Sequence, residues 1–202
     1  MKRLYVAIDL ETTGLDLDRC AITQIGIVTR NSEAEHLRSI QYEIAPNSSY
    51  WEPVALDMHE ARVKGCPRDI NDVDHLVYRE MRNSWGIKHG EAWPVGWNVG
   101  PFDIALLKKH MPLTASLFSY RSMELNALAA FLDETTSEEF RRNSKGHITS
   151  WKTIATRVAE QRTGRNQAHD ALWDSEAAWY FLEYLLYTDE GRILPLSKWV
   201  LP

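Results

Sequence analysis

Two acids two residues apart stand near the start of the chain, in Asp9-Leu10-Glu11-Thr12-Thr13-Gly14. They end an apolar run, Leu4 to Leu10, that has the composition of a buried strand. A strand repeats every two residues, so Asp9 and Glu11 share one face. Paired acids on an apolar strand repel each other and are costly to bury. A divalent cation such as Mg²⁺ or Mn²⁺ removes that cost, and both suit carboxylate oxygens. A strand end wetted by solvent is the alternative. A second acidic signal, Asp103, follows Gly96-Trp97-Asn98-Val99-Gly100-Pro101-Phe102 and precedes an apolar helical stretch. Alone, it reads as a cap or a first-turn acid facing the helix dipole. The third group is His169-Asp170-Ala171-Leu172-Trp173-Asp174-Ser175-Glu176. Asp170 and Asp174 are one helical turn apart. Asp170 suits a helix cap, and a lone His in such a place is commonly a cap or surface residue.

These residues need elements to position them. Ala21 to Thr29 and Arg38 to Ile44 read as two further strands, making a three-strand antiparallel meander with the first. Helices are predicted over Glu52–Val63, Asn71–Trp85 (Asn71 as N-cap), Phe102–His110, Asn126–Leu132, Ser150–Gln161 and Asp170–Tyr187, with Met111-Pro112 stopping the third. Short strands fit Pro94–Trp97 and Tyr120–Leu125. Strands first, then helices alternating with short strands, imply an α/β fold: a mixed sheet with helices packed on it.

At 202 residues the chain suits one domain, read as 1–190, followed by a tail over 191–202 that is apolar for a terminus. Self-docking of that tail is the plain reading. No apolar stretch approaches a membrane span, and the apolar run at the N-terminus is too short for a signal peptide. A cytoplasmic protein without membrane association is expected. Cys20 and Cys66 cannot form a disulfide framework and read as reduced. The net charge of −5 argues against coating nucleic acid by bulk charge. Locally the balance reverses: Arg141, Arg142, Lys145, Lys152, Arg157, Arg162 and Arg165 accompany a single acid, Glu160, between Phe140 and Ala168. That is either a solvated helix face or a phosphate-guiding patch.

Taken together, Asp9-x-Glu11, Asp103 and His169 five residues before Asp174 resemble the DEDDh branch of the 3′-5′ exonucleases, the DnaQ-like superfamily with an RNase H-like fold. The resemblance spans nearly the whole chain and includes Thr12-Thr13-Gly14, Asn98 and Ala171. It implies two divalent cations, Mg²⁺ or Mn²⁺, held by Asp9, Glu11, Asp103 and Asp174, with His169 as general base. In that family Asp9 bridges both ions, Glu11 and Asp174 complete the nucleophile side, and Asp103 supports the other ion. It also implies contacts to the 3′-terminal nucleotide from Thr12 and an apolar wedge from Leu15, for which ordinary core is an equal reading. Asn98 holds the active-site loop or touches the backbone, and His59 lies where many members carry a His beside the substrate.

Lys109-His110-Met111-Pro112-Leu113 and Phe118-Ser119-Tyr120-Arg121 are similar to the oligoribonucleases, where Arg121 would meet a substrate phosphate; a partner for Glu124 is the alternative. Thr12, Val99 and Asn126 depart from that subgroup. Val99 cannot donate the side-chain hydrogen bond that subgroup uses. The expectation is therefore a broader exonuclease on 3′ ends of single-stranded DNA or RNA, releasing nucleoside 5′-monophosphates. Alternatives are an oligoribonuclease of short RNA or dinucleotides, which would suggest a homodimer, and a proofreading subunit acting through a polymerase partner. An RNase H-like endonuclease is disfavoured by the His169-to-Asp174 arrangement. Among the eight tryptophans, Trp51 and Trp97 are candidates for stacking on bases.

Overall fold

The computed structural model describes residues 4–30, 37–63, 68–135, 149–165, 167 and 169–186; the side chains of 59–63, 135 and 184–186 stand outside that set. Five strands form one mixed sheet: β1 (Leu4–Thr12), β2 (Ile22–Thr29), β3 (Arg38–Glu43), β4 (Ala92–Gly96) and β5 (Met123–Glu124). Their order is β3-β2-β1-β4-β5. The β1–β2 and β2–β3 pairs are antiparallel; β1–β4 and β4–β5 are parallel. The meander read from the sequence is thus present, and β4 and β5 add parallel strands to its β1 edge.

Helices cover both faces, which is why β2 is buried along its whole length and β1 along most of it. On one face Val6, Ile8 and Leu10 of β1 pack with Val73, Val77, Leu106 and Leu107. Those residues come from α2 (Ile70–Arg79) and α3 (Ala105–His110). On the other face Ala7 packs with Ile154, Val158, Ala178 and Phe181, from α6 (Trp151–Thr163) and α7 (Ala171–Leu186). Alternation along β1 continues the Ala7 face through Asp9 and Glu11. Both acids therefore lie on the α7 side.

The remaining helices are α1 (Pro53–Val63), α4 (Pro112–Ala115) and α5 (Leu125–Thr135). Several predicted boundaries shift. Asp69, rather than Asn71, caps α2, accepting from the Asn71 N–H at 2.8 Å. That helix becomes a π-helical turn over Glu80–Ser84 instead of running on to Trp85. The helix expected from Phe102 begins as a π-helical turn, Val99–Ile104, and becomes α-helical at Ala105. Pro112 stops α3, as expected, but also opens the unpredicted α4, because a missing N–H costs nothing at a first helical position. The strand expected over Tyr120–Leu125 shrinks to two residues. Tyr120 to Ser122 lie outside it, and ahead of the expected strand Phe118 makes an isolated bridge to Ala92.

Among the described residues no helix is long and apolar enough to cross a membrane. Arg141, Arg142, Lys145 and Cys66 lie outside the described residues, as does the tail at 191–202. Cys20 is free and buried.

Candidate metal-dependent active site

The site forms at the C-terminal end of β1, where three segments meet. β1 itself delivers Asp9, half-buried, and Glu11, buried. Just past Glu11 the pairing with β2 slips by a residue, so the chain turns away from the sheet at this point. The turn is held internally. The Thr12 hydroxyl donates to the Gly14 carbonyl at 2.7 Å, and the Ala21 N–H donates to the Thr13 hydroxyl at 2.9 Å.

Asp103 comes from the π-helical turn after β4. It is only 4% exposed, and its Oδ1 accepts the Leu10 N–H of β1 at 3.0 Å. That bond ties the middle helix to the strand between the two β1 acids. Gly96 makes the approach possible: a Cβ there would lie 2.9 Å from the Ile8 carbonyl oxygen. Asn98, exposed and in the left-handed region at φ 66°, turns the chain into Val99, and its carbonyl accepts the Phe102 N–H. Asn98 accordingly shapes the loop that carries Asp103.

Asp174 lies one turn into α7, whose start is fixed on β2. The Ala171 N–H donates to Gln24 Oε1 at 2.6 Å, and the Ser175 hydroxyl donates to the Gly26 carbonyl at 2.9 Å. A Cβ on Gly26 would lie 2.2 Å from the Ala171 backbone, so only glycine lets the helix sit there. Gly26 is opposite Asp9 in the β1–β2 pairing. Asp170 is the cap expected of it: its Oδ1 accepts the Trp173 N–H, and its Oδ2 accepts from Gln41. His169 precedes this cap with φ 64°. The left-handed backbone of a non-glycine residue costs free energy and persists where the surroundings hold it.

The result is a convergence from distant parts of the chain. Ligand atoms of Glu11, His169 and Asp174 all lie within 4.8 Å of one another. The electrostatics follow. Loss of water, then Asp103, Asp174 and Glu11, push the Asp9 carboxyl well above its usual range. Burial raises Asp103 to about 8, opposed by the backbone N–H bonds it accepts and reinforced by Glu124 and Glu11. Burial raises Asp174 to about 6, opposed by Lys152 and His169. A cluster that resists ionising in this way would be relieved by a bound divalent cation, and hard carboxylate oxygens suit Mg²⁺ or Mn²⁺. The donor set therefore fits the cations expected from the sequence.

The other candidate residues divide. Leu15 is 74% exposed beside this turn, which removes the core reading. Its N–H is held by Glu52 at 2.9 Å. Arg121 lies over Trp93 and Tyr120, with its guanidinium carbon 5.8 and 5.1 Å from their ring centroids. Trp93 is opposite Tyr5, four residues before Asp9 along β1. At ~3.3 Å per residue this puts Arg121 beside the far half of the sheet. It does not pair with Glu124 either; that carboxylate accepts from the Val99 and Gly100 N–H groups and the Ser122 hydroxyl. Trp97 stacks on Phe181 at 5.6 Å, and Trp51 is half-buried. His59 lies on α1, and its side chain is outside the described set.

Three contributors escape a reading of the sequence alone. Glu124 braces the Asp103 loop, and its only signal is an acid closing a short strand. Gln24 and Gln41 hold α7, and polar residues in strands give no hint of a partner more than a hundred positions away.

No protein-family model matches the chain, and no curated protein matches it. Among solved structures it is similar to exonuclease I of E. coli. In the complex with a dT13 oligonucleotide the identity is 14% and the TM-score 0.64, over 98% of this chain and 42% of that one. In the zinc-ion-bound complex with single-stranded DNA they are 16% and 0.63, over 96% and 42%. In the complex with a dA16 oligonucleotide they are 16% and 0.59, over 90% and 41%. The chain thus spans about two fifths of the length of these neighbours. The likeness establishes the fold: a mixed RNase H-like sheet flanked by helices.

Proposed function

We propose that the protein is a divalent-metal-dependent 3′-5′ exonuclease of the DEDDh type. It would act on single-stranded nucleic acid and release nucleoside 5′-monophosphates. The observation that carries this reading is the meeting of Glu11, His169 and Asp174 within 4.8 Å on the strand face that also bears Asp9. Asp9, Glu11, Asp103 and Asp174 would hold two cations, Mg²⁺ or Mn²⁺. Such ions, when bound, acidify a water and stabilise charge on the scissile phosphate. His169 is exposed at the mouth of the cluster, where it can take the proton of the attacking water and pass it to solvent. Its left-handed backbone and the Asp170 cap hold it there. Asp103 fixes the loop after β4 to β1, keeping the opposing carboxylates at one height. Leu15, whose N–H is held by Glu52, would offer an apolar edge to the terminal base, with Thr12 on the same turn meeting the terminal nucleotide.

The structural neighbours bound to oligonucleotides support single-stranded DNA as the first substrate to test. We place the protein in the cytoplasm. Purified protein with Mg²⁺, then Mn²⁺, is expected to shorten 5′-labelled single-stranded DNA or RNA stepwise from the 3′ end. Asp9→Ala and excess EDTA should each abolish the ladder. Full activity of folded Asp9→Ala would overturn the reading. Cutting of a closed circle would point to an endonuclease, and cleavage of a dinucleotide alone to an oligoribonuclease.

A further inference from the structure

An acidic protein with an acidic site repels a polyanion, so something must draw the strand in. The basic stretch after residue 140 is the natural source, yet two of its four described cations, Arg162 and Arg165, are engaged elsewhere. Arg162 lies over the Tyr180 ring, 5.7 Å from its centroid. Arg165 is bound to Glu176. Lys152 differs. It is exposed in the first turn of α6, next to the buried Trp151. Trp151 packs on Phe181 at 6.1 Å, and Phe181 in turn stacks on Trp97, the residue that follows β4. The Trp151 indole N–H also donates to Asp133 of α5 at 2.7 Å. These contacts seat the start of α6 at the end of the sheet that bears the carboxylates. The Lys152 charge bears on both Asp9 and Asp174 from there.

We propose that Lys152 binds a backbone phosphate of the substrate strand at the rim of the carboxylate cluster, and so supplies locally the attraction that the net charge denies. The assignment rests on the exonuclease reading above. A lysine ammonium is a compact point charge on a flexible stem, suited to following a phosphate without demanding one geometry. A phosphate contact displaces a counterion, so it leaves a signature in salt dependence that a packing role does not.

The test is binding rather than turnover. A 5′-fluorescein-labelled oligothymidine is titrated by fluorescence anisotropy, with Ca²⁺ replacing Mg²⁺, over a series of KCl concentrations. Lys152→Ala is expected to weaken binding about three- to tenfold at low salt and to reduce the log–log salt slope by about 0.7. Lys152→Arg should keep the parental slope. Arg157→Ala, exposed on the same helix, serves as control and should change neither quantity. A parental protein that binds no oligonucleotide overturns the exonuclease reading and this assignment with it. Parental binding together with an unchanged slope in Lys152→Ala overturns the assignment alone, whatever happens to metal affinity. Lys152 is exposed, so circular dichroism of both variants should match the parent.

Discussion

Asp74 and Asp103 are each 4% exposed and each sit on a helical segment beside the same core, yet their surroundings are opposite. Asp74, on α2, meets the start of α4. Its two oxygens accept the Leu113 and Thr114 N–H groups at 3.0 and 2.8 Å, and its carbonyl accepts the Thr114 hydroxyl. Nothing about it asks for a ligand. Asp103 accepts the Leu10 N–H and faces acids, with Glu11, Glu124 and Asp9 bearing on it. Burial alone therefore does not mark a functional carboxylate. What separates the two is whether backbone donors or other acids surround the charge. The first arrangement stabilises the fold; the second stores repulsion that a cation can release.

Substitutions should separate them cleanly. The largest effect is expected from Asp103→Asn, which keeps shape and removes charge. Nuclease activity should fall about 10³-fold, the scale of lost metal stabilisation, while the urea midpoint holds or rises. Asp74→Ala should do the reverse. It strands the buried Thr114 N–H and the half-buried Leu113 N–H and should cost about 3 kcal/mol in a urea titration, with kcat/KM per folded molecule unchanged. Equal activity losses in both would erase the distinction.

A pH series sharpens it. Asp103 is held at about 8 in the folded protein, against an ordinary carboxyl value near ~3.9 when unfolded. Between those values the folded state keeps a proton that the unfolded state has released. Stability in EDTA should therefore fall as pH rises from about 4 to about 8. Thermal melts should show that decline, and Mn²⁺ at the upper end should reverse it. Asp103→Asn should flatten the curve. A flat parental curve would count against strained carboxylates.

Asp170 gives the smallest effect and an intermediate case. It caps α7 and is steadied by Gln41 at 2.8 Å, on the surface. Gln41→Ala should cost at most about 1 kcal/mol and lower the proposed nuclease activity only severalfold, by loosening the segment that carries His169.

The same contrast explains what could be read beforehand. β1, the meander and α7 depend on short-range periodicity, which a sequence displays directly. The five residues proposed for the site stand out because their spacing resembles a known family, not because burial can be foreseen; Asp74, equally buried, carries no such sign. The order of strands, the shrinking of β5 and the two π-helical turns depend on contacts distant in sequence. Asn71 and Asp69 differ by two positions, and only the carboxylate that accepts the Asn71 N–H decides between them. Arg121 looked like a phosphate ligand through its neighbours in sequence, but the register of β4 sets it beside Trp93. Lys152 was one cation among seven until the packing of Trp151 set it beside the site.

The seating of α7 on Gly26 has a consequence in time. Asp9 and Asp174 are drawn from opposite ends of the chain, and contacts so far apart in sequence form late in folding. A nascent chain that has made β1, β2 and the Asp103 turn still lacks both Asp174 and His169. Until the α7 segment leaves the ribosome and its Ala171 N–H finds Gln24, the growing polypeptide holds only part of the acidic cluster and of the cation site proposed for it.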